Sequence, residues 1–116
     1  MPSKDNADDA TSALRDSLEA IRNRKGIIGY ILKAADSASV DLNDPSKIVD
    51  YATLSATTLE EGEKLAKAFG IGALNKAVLE GARMKLLLLA SGEHRISIFM
   101  EKTVDHEAVG KALDLA

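Results

Sequence analysis

Residues 84–90 read Met84-Lys85-Leu86-Leu87-Leu88-Leu89-Ala90, and the four leucines carry no polar alternation. A strand that is apolar on both sides must be covered on both sides. The run Leu86 to Ala90 is also the longest unbroken apolar stretch in the chain. It falls far short of the ~20 residues that a membrane-crossing helix requires. A buried strand between two layers is the expectation, and the rest of the chain must supply those layers.

Gly92 separates this strand from a second, Arg95 to Met100, and Gly81 separates it from Asn75 to Glu80 on the other side. Short links of this kind join antiparallel neighbours. Further upstream, Ile27 to Lys33 combines β-branched and aromatic residues and reads as a strand. Ala38 to Leu42 is its hairpin partner across Asp36 and Ser37.

Three helices surround these strands. Leu14, Leu18 and Ile21 recur at helical spacing within Ser12 to Lys25, and Gly26 supplies the stop. Asp44-Pro45 opens a long helix that runs to Phe69 and ends at Gly70. Thr58 and Glu61 match a capping box, yet the apolar stripe keeps its phase there, so the helix is expected to continue through Thr57. Asp105 caps a final helix with Val109, Ala112 and Leu113 on its apolar face. The fold class is α/β in the α+β sense: a five-stranded antiparallel sheet between helix layers. The order is helix, two strands, helix, three strands, helix. With 116 residues the chain has the size of one domain. Residues 1–11 are expected to form a flexible arm and residues 12–116 a single domain.

Composition removes several functions. There is no cysteine, which excludes a disulfide scaffold and a thiol nucleophile. The net charge of −3 and the four aromatic residues argue against phosphate contacts and base stacking, so no nucleic-acid partner is expected. No segment is expected to insert in a membrane, and the cytoplasm is the default compartment.

The search for chemistry ends the same way. Gly70-Ile71-Gly72 starts a dinucleotide fingerprint, but Asn75 stands where the third glycine belongs. His106-Glu107 starts a zincin-like motif, but Gly110 replaces the second histidine. His94 falls in a turn and is expected at the surface. Asp41, Asn43 and Pro45 faintly echo a calcium loop without its glycine or closing glutamate. No serine lies in a nucleophile elbow. No catalytic, metal or cofactor-binding residue is assigned, and no enzyme activity is expected.

The long helix carries more apolar surface than one sheet face can cover. Ile48, Ala52, Ser55, Leu59, Gly62 and Ala66 fall in one stripe, and Tyr51, Leu54, Thr58, Leu65 and Phe69 in another beside it. Either another helix of the same chain covers the second stripe, or the same helix of a second chain does. The strand Asn75 to Glu80 is the most polar of the last three. Its alternation of Lys76, Val78 and Glu80 suits a sheet edge, either solvated or used for pairing. The expected dimer interface is Tyr51, Leu54, Thr58, Leu65, Lys76, Val78 and Glu80, with Tyr51 also the expected anchor for a partner.

Several stretches resemble the roadblock/dynein-light-chain family, of profilin-like or longin-like architecture. They are Arg24-Lys25-Gly26-Ile27-Ile28-Gly29-Tyr30-Ile31, the long helix from Tyr51 to Phe69, Gly70 through Glu80, and the last two strands. The resemblance covers roughly residues 12 to 115 and is nearest to stand-alone archaeal members. Where members often carry an Asp-Gly turn, this chain has Ala35-Asp36-Ser37-Ala38. The resemblance implies a homodimer, or a heterodimer with a similar subunit. It implies docking on motor complexes or regulation of a Ras-like small GTPase, without a catalytic centre or cofactor. A profilin-like ligand-sensing domain, with a pocket between sheet and helix, is the alternative.

Overall fold

The structure, a computed structural model, describes residues 3–113, with side chains described from Asp9 onward. Its elements are α1 (Ser3–Arg22), β1 (Ile27–Lys33), β2 (Ala38–Leu42), a 3-10 turn (Pro45–Lys47), α2 (Ile48–Ala68), β3 (Lys76–Glu80), β4 (Met84–Ser91), β5 (His94–Glu101) and α3 (His106–Ala112). The strands form one sheet of order β2-β1-β5-β4-β3, and every neighbouring pair is antiparallel. The expected element order and sheet type are both found.

The four leucines do what their pattern requires. Leu87 belongs to a core under α1 and α3, with Leu14, Leu18, Ile21, Ile96 and Ile98. Leu86 and Leu88 turn to the opposite face, where Phe99 and Leu42 complete a smaller core under α2. β4 is thus sealed from both sides, as a strand with no polar face must be.

Helix α1 departs from expectation at both ends. It starts at Ser3, inside the stretch expected as an arm, and closes at Arg22 rather than Lys25. Ser3 to Ala10 hold no large apolar residue, so periodicity has no stripe to detect there. Met1, Pro2 and residues 114–116 of the expected domain lie outside the described residues.

The capping signals act locally. The Asp44 carboxylate accepts from the Ser46 amide at 3.1 Å and from its hydroxyl at 2.6 Å, which lowers the Asp44 pKa. It closes a 3-10 turn, and α2 proper begins at Ile48. Helix α2 passes through Thr57 unbroken. The Thr58 hydroxyl donates back to the Leu54 carbonyl at 2.7 Å, so it serves no N-cap. Asp105 caps α3 through the Glu107 amide at 3.0 Å. Gly70, at φ +62, ends α2 in the left-handed region where glycine is favoured. Gly29 lets β1 and β2 close together: a Cβ there would come within 2.7 Å of the Leu42 Cα.

Candidate self-association surface

Helix α2 is held on the sheet by a short series of contacts. The Tyr51 ring stacks on Phe99 with centroids 4.6 Å apart and planes at 23°. Its hydroxyl donates to the Met84 sulfur at 3.7 Å. Leu54 and Leu59 pack on the same small core, while Ser55 and Ala66 are buried. Gly62 makes room for the returning chain, since a Cβ there would lie 2.9 Å from Leu74 Cδ2.

These contacts use the middle of the helix and leave one flank unfilled. Ala52, Ala56 and Leu59 line the side of α2 that looks over β1 and β2. At 100° per residue, Leu54, Thr58 and Leu65 share the opposite flank, toward β3. Leu54 and Thr58 are half-buried there, but Leu65 is 60% exposed. Just beyond the helix end, Phe69 and Ile71 are each 76% exposed. On β3, Leu79 is exposed as well. Among the described residues β3 pairs only with β4, so its outer edge is the edge of the sheet. The apolar flank of α2 therefore lies on the side toward an edge strand.

Not every expected interface residue turns its side chain to this surface. Leu54, Thr58 and Leu65 are brought together on one flank. Tyr51, the expected anchor, turns its ring inward onto Phe99. Lys76 reaches Glu107 of α3 at 2.9 Å, which places Lys76, and with it Val78 and Glu80, on the α1/α3 side of the sheet. Glu80 lies 3.8 Å from the buried Lys85, whose amine is 3.2 Å from His106 Nδ1. The β3 residues on the α2 side are Ala77 and Leu79. The alternation itself carried that signal, because Ala77 and Leu79 face away from Lys76. Ile71 was missed outright, although an apolar residue between Gly70 and Gly72 in a helix stop has little to bury it.

Electrostatics at the surface are mild. Lys64 stands 3.4 Å from both Glu60 and Glu61, and hydrogen bonds to these two carboxylates raise its pKa. The hydrogen bond from Lys76 lowers the Glu107 pKa. His94, expected at the surface, lies 2.9 Å from the Thr11 hydroxyl and is half-buried. Among the described residues, no group of three or more His, Asp or Glu could hold a metal ion, and no helix is long and apolar enough to cross a membrane.

The fold recurs in solved structures. The fold is that of the roadblock domain. The Roadblock/LC7 domain from Streptomyces avermitilis superposes with a TM-score of 0.68 at 15% identity, over 88% of this chain and 86% of that one. MglB of Myxococcus xanthus gives 0.71 at 16% identity, over 90% of this chain and 84% of that one. An MglB solved in a tetrameric arrangement gives 0.68 at 22% identity, over 90% and 85%. The likeness is one of fold. No family model matches the chain, and no curated protein matches it by sequence.

Proposed function

We propose that this protein is a non-catalytic, self-associating scaffold in which a second copy covers the α2 flank and pairs along β3. The observation that carries this reading is an α2 flank and helix end that expose Leu65, Phe69 and Ile71, on the side of α2 toward β3, whose edge strand exposes Leu79. Burying one such side chain contributes about 1.5–3 kcal/mol. Association costs at least about 4 kcal/mol, so the flank and the strand edge are needed together. An MglB of the same fold has been solved as a tetramer, which supports self-association as a habit of this architecture.

In this reading Leu54, Thr58 and Leu65 contact the second copy directly. The backbone of Lys76, Val78 and Glu80 supplies the strand pairing, and Tyr51 holds α2 at the right height. A homodimer is the simplest assembly, and a similar subunit could replace one copy. The paired α2 helices would then present a platform across the two-fold axis to a protein partner. From the roadblock resemblance, that partner is a Ras-like small GTPase.

Light scattering coupled to size exclusion tests the assembly. Twice the monomer mass is expected at micromolar concentration, and Leu65→Asp should give the monomer mass, because it buries an unpaired charge in the contact. A monomer mass for the unaltered protein at all micromolar concentrations removes the reading. Mixing with a small GTPase loaded with GDP or GTP then reads the stoichiometry: one per dimer places the contact over the axis.

A further inference from the structure

The other flank of α2 borders an open groove of ≈ 670 Å³, between the helix and the β2–β1–β5 half of the sheet. That volume falls within the roughly 300–1,000 Å³ of small-ligand clefts. The groove exists because this sheet face carries one helix, where the opposite face carries two. Its floor is aliphatic, from Ile31, Val40 and Leu59. Two hydroxyls interrupt it. Ser97 is buried, and Ser55 is 9% exposed with an Oγ that has no hydrogen-bond partner. A buried polar atom left without a partner is costly, and a ligand group would relieve it.

The charges are divided between the walls. The register pairs Lys33 with Arg95 on adjacent strands, and both line the sheet wall. Glu60 and Glu63 line the helix wall, and Glu93 stands at the turn end. Among the described residues no ion pair joins the two walls; Glu60 leans instead on Lys64 at 3.4 Å. A simple anion would meet the carboxylates of the far wall. A neutral apolar molecule would bring no opposite charge to either wall, where Arg95 already donates to the Gly92 and His94 carbonyls at 2.9 and 3.0 Å. A molecule with opposite charges at the ends of an aliphatic body suits the whole groove, since charge complementarity sets orientation and rejects wrong partners.

We propose that this groove binds a short aliphatic peptide with free, charged termini. Its carboxylate lies between Lys33 and Arg95, its ammonium against Glu60 and Glu63, and its side chains on Ile31, Val40 and Leu59. The Ser55 and Ser97 hydroxyls meet its amide. The groove lies on the flank of α2 opposite the self-association surface, so this inference does not depend on the dimer.

The test is a titration of isotopically labelled protein with leucyl-leucine, followed by amide chemical shifts. Shifts should cluster at Ile31, Val40, Ser55 and Ser97, with an affinity on the order of 0.1–1 mM. N-acetylated and C-amidated leucyl-leucine should each bind about tenfold more weakly, one charge contact being lost. Ala56→Trp should fill the groove and abolish the shifts while the mass by light scattering stays unchanged. Lys33→Glu, at an exposed position, should weaken binding of the free peptide even if Ala56→Trp folds poorly. No shifts at ~10 mM peptide, or shifts mapping elsewhere, overturn the proposal. Equal binding of the blocked peptides overturns it too, and assigns the groove to an apolar segment of another protein. A monomer mass for the unaltered protein, with peptide shifts still clustered at the groove, counts against the dimer reading alone, and intact shifts in a folded Ala56→Trp overturn the proposal.

Discussion

Among the described residues, the core under α1 and α3 has twelve buried residues and three partly buried ones, Leu89, Val104 and Ala112; the core under α2 has four buried residues, among them Leu86, Leu88 and Phe99, and seven partly buried ones, among them Ile31, Leu59 and Met84. The same sheet thus has one face largely closed within the chain and one left more open. Two helices cover the first face. A single helix covers the second, with an apolar flank on one side and a groove on the other. The contrast separates the residues that hold the monomer together from those available for contacts with other molecules.

The contrast can be broken most directly by truncation. Leu87→Ala removes a fully buried side chain from the closed face and should cost about 2–5 kcal/mol in chemical denaturation. Leu59→Ala, on the open face, should cost less than half as much, because its site is already partly solvated. Equal losses would show that α2 is packed as tightly as α1, and the division of labour would fail.

Tyr51→Ala gives a sharper reading of how α2 is attached. The stacked ring and the sulfur contact are lost together, so a cost of about 1–3 kcal/mol is expected. Tyr51→Phe keeps the ring on Phe99 and should lie within about 0.5 kcal/mol of the unaltered protein. If Tyr51→Ala leaves stability unchanged but weakens capture of a protein partner, the ring is a partner anchor after all, as the sequence first suggested.

Leu65→Asp should affect the monomer least among these substitutions, within about 0.5 kcal/mol when unfolding is measured below the association range. A large loss there would mean that the flank is packed inside the chain.

Much of this division could be read in the sequence. Leu86 to Leu89 dictated two covered faces, and Asp44, Asp105, Gly26 and Gly70 marked the turns and helix ends through local hydrogen bonds and backbone freedom. The excess apolar surface of the long helix also pointed to an unfilled flank. What periodicity could not supply was which part of that surface the sheet takes. Tyr51 was read as outward because aromatic residues anchor interfaces, but Phe99 across the core offers it a stacking partner that lies 48 residues away in the chain. Lys76, Val78 and Glu80 were joined to the helix flank without a means to decide which side of β3 met α2. The charge partner Glu107, on a later helix, decides it. The early turns of α1 escaped because Ser3 to Ala10 offer no large apolar residue to form a stripe. A pocket between sheet and helix came only with the profilin-like alternative, and its lining was not legible, since it depends on where α2 sits across the sheet.

The smallest effects come from pH, and they compare the centre of the closed face with its β3 rim. Burial, then the charges of Glu19 and Asp41, push the Tyr30 hydroxyl above its ordinary value of 10.0. The unfolded chain ionises this group first, so its contribution is complete below that value and is lost as pH rises through the folded value. At the rim, the hydrogen bond from Lys76 holds the Glu107 carboxyl below its ordinary range. Its contribution is therefore present above that range and is lost as pH falls through the lowered value. Glu107 is exposed, so solvent screens the pair and the acid effect should be the weaker of the two. Denaturation midpoints across the pH range check both. Tyr30→Phe should flatten part of the alkaline limb, and Lys76→Ala should flatten only a little of the acid limb. If Lys76→Ala instead removes most of the acid sensitivity, then the β3 rim is tied to α3 as firmly as the core is packed. The free edge of β3 would then be a rigid template for a second copy, not a strand that adjusts on pairing.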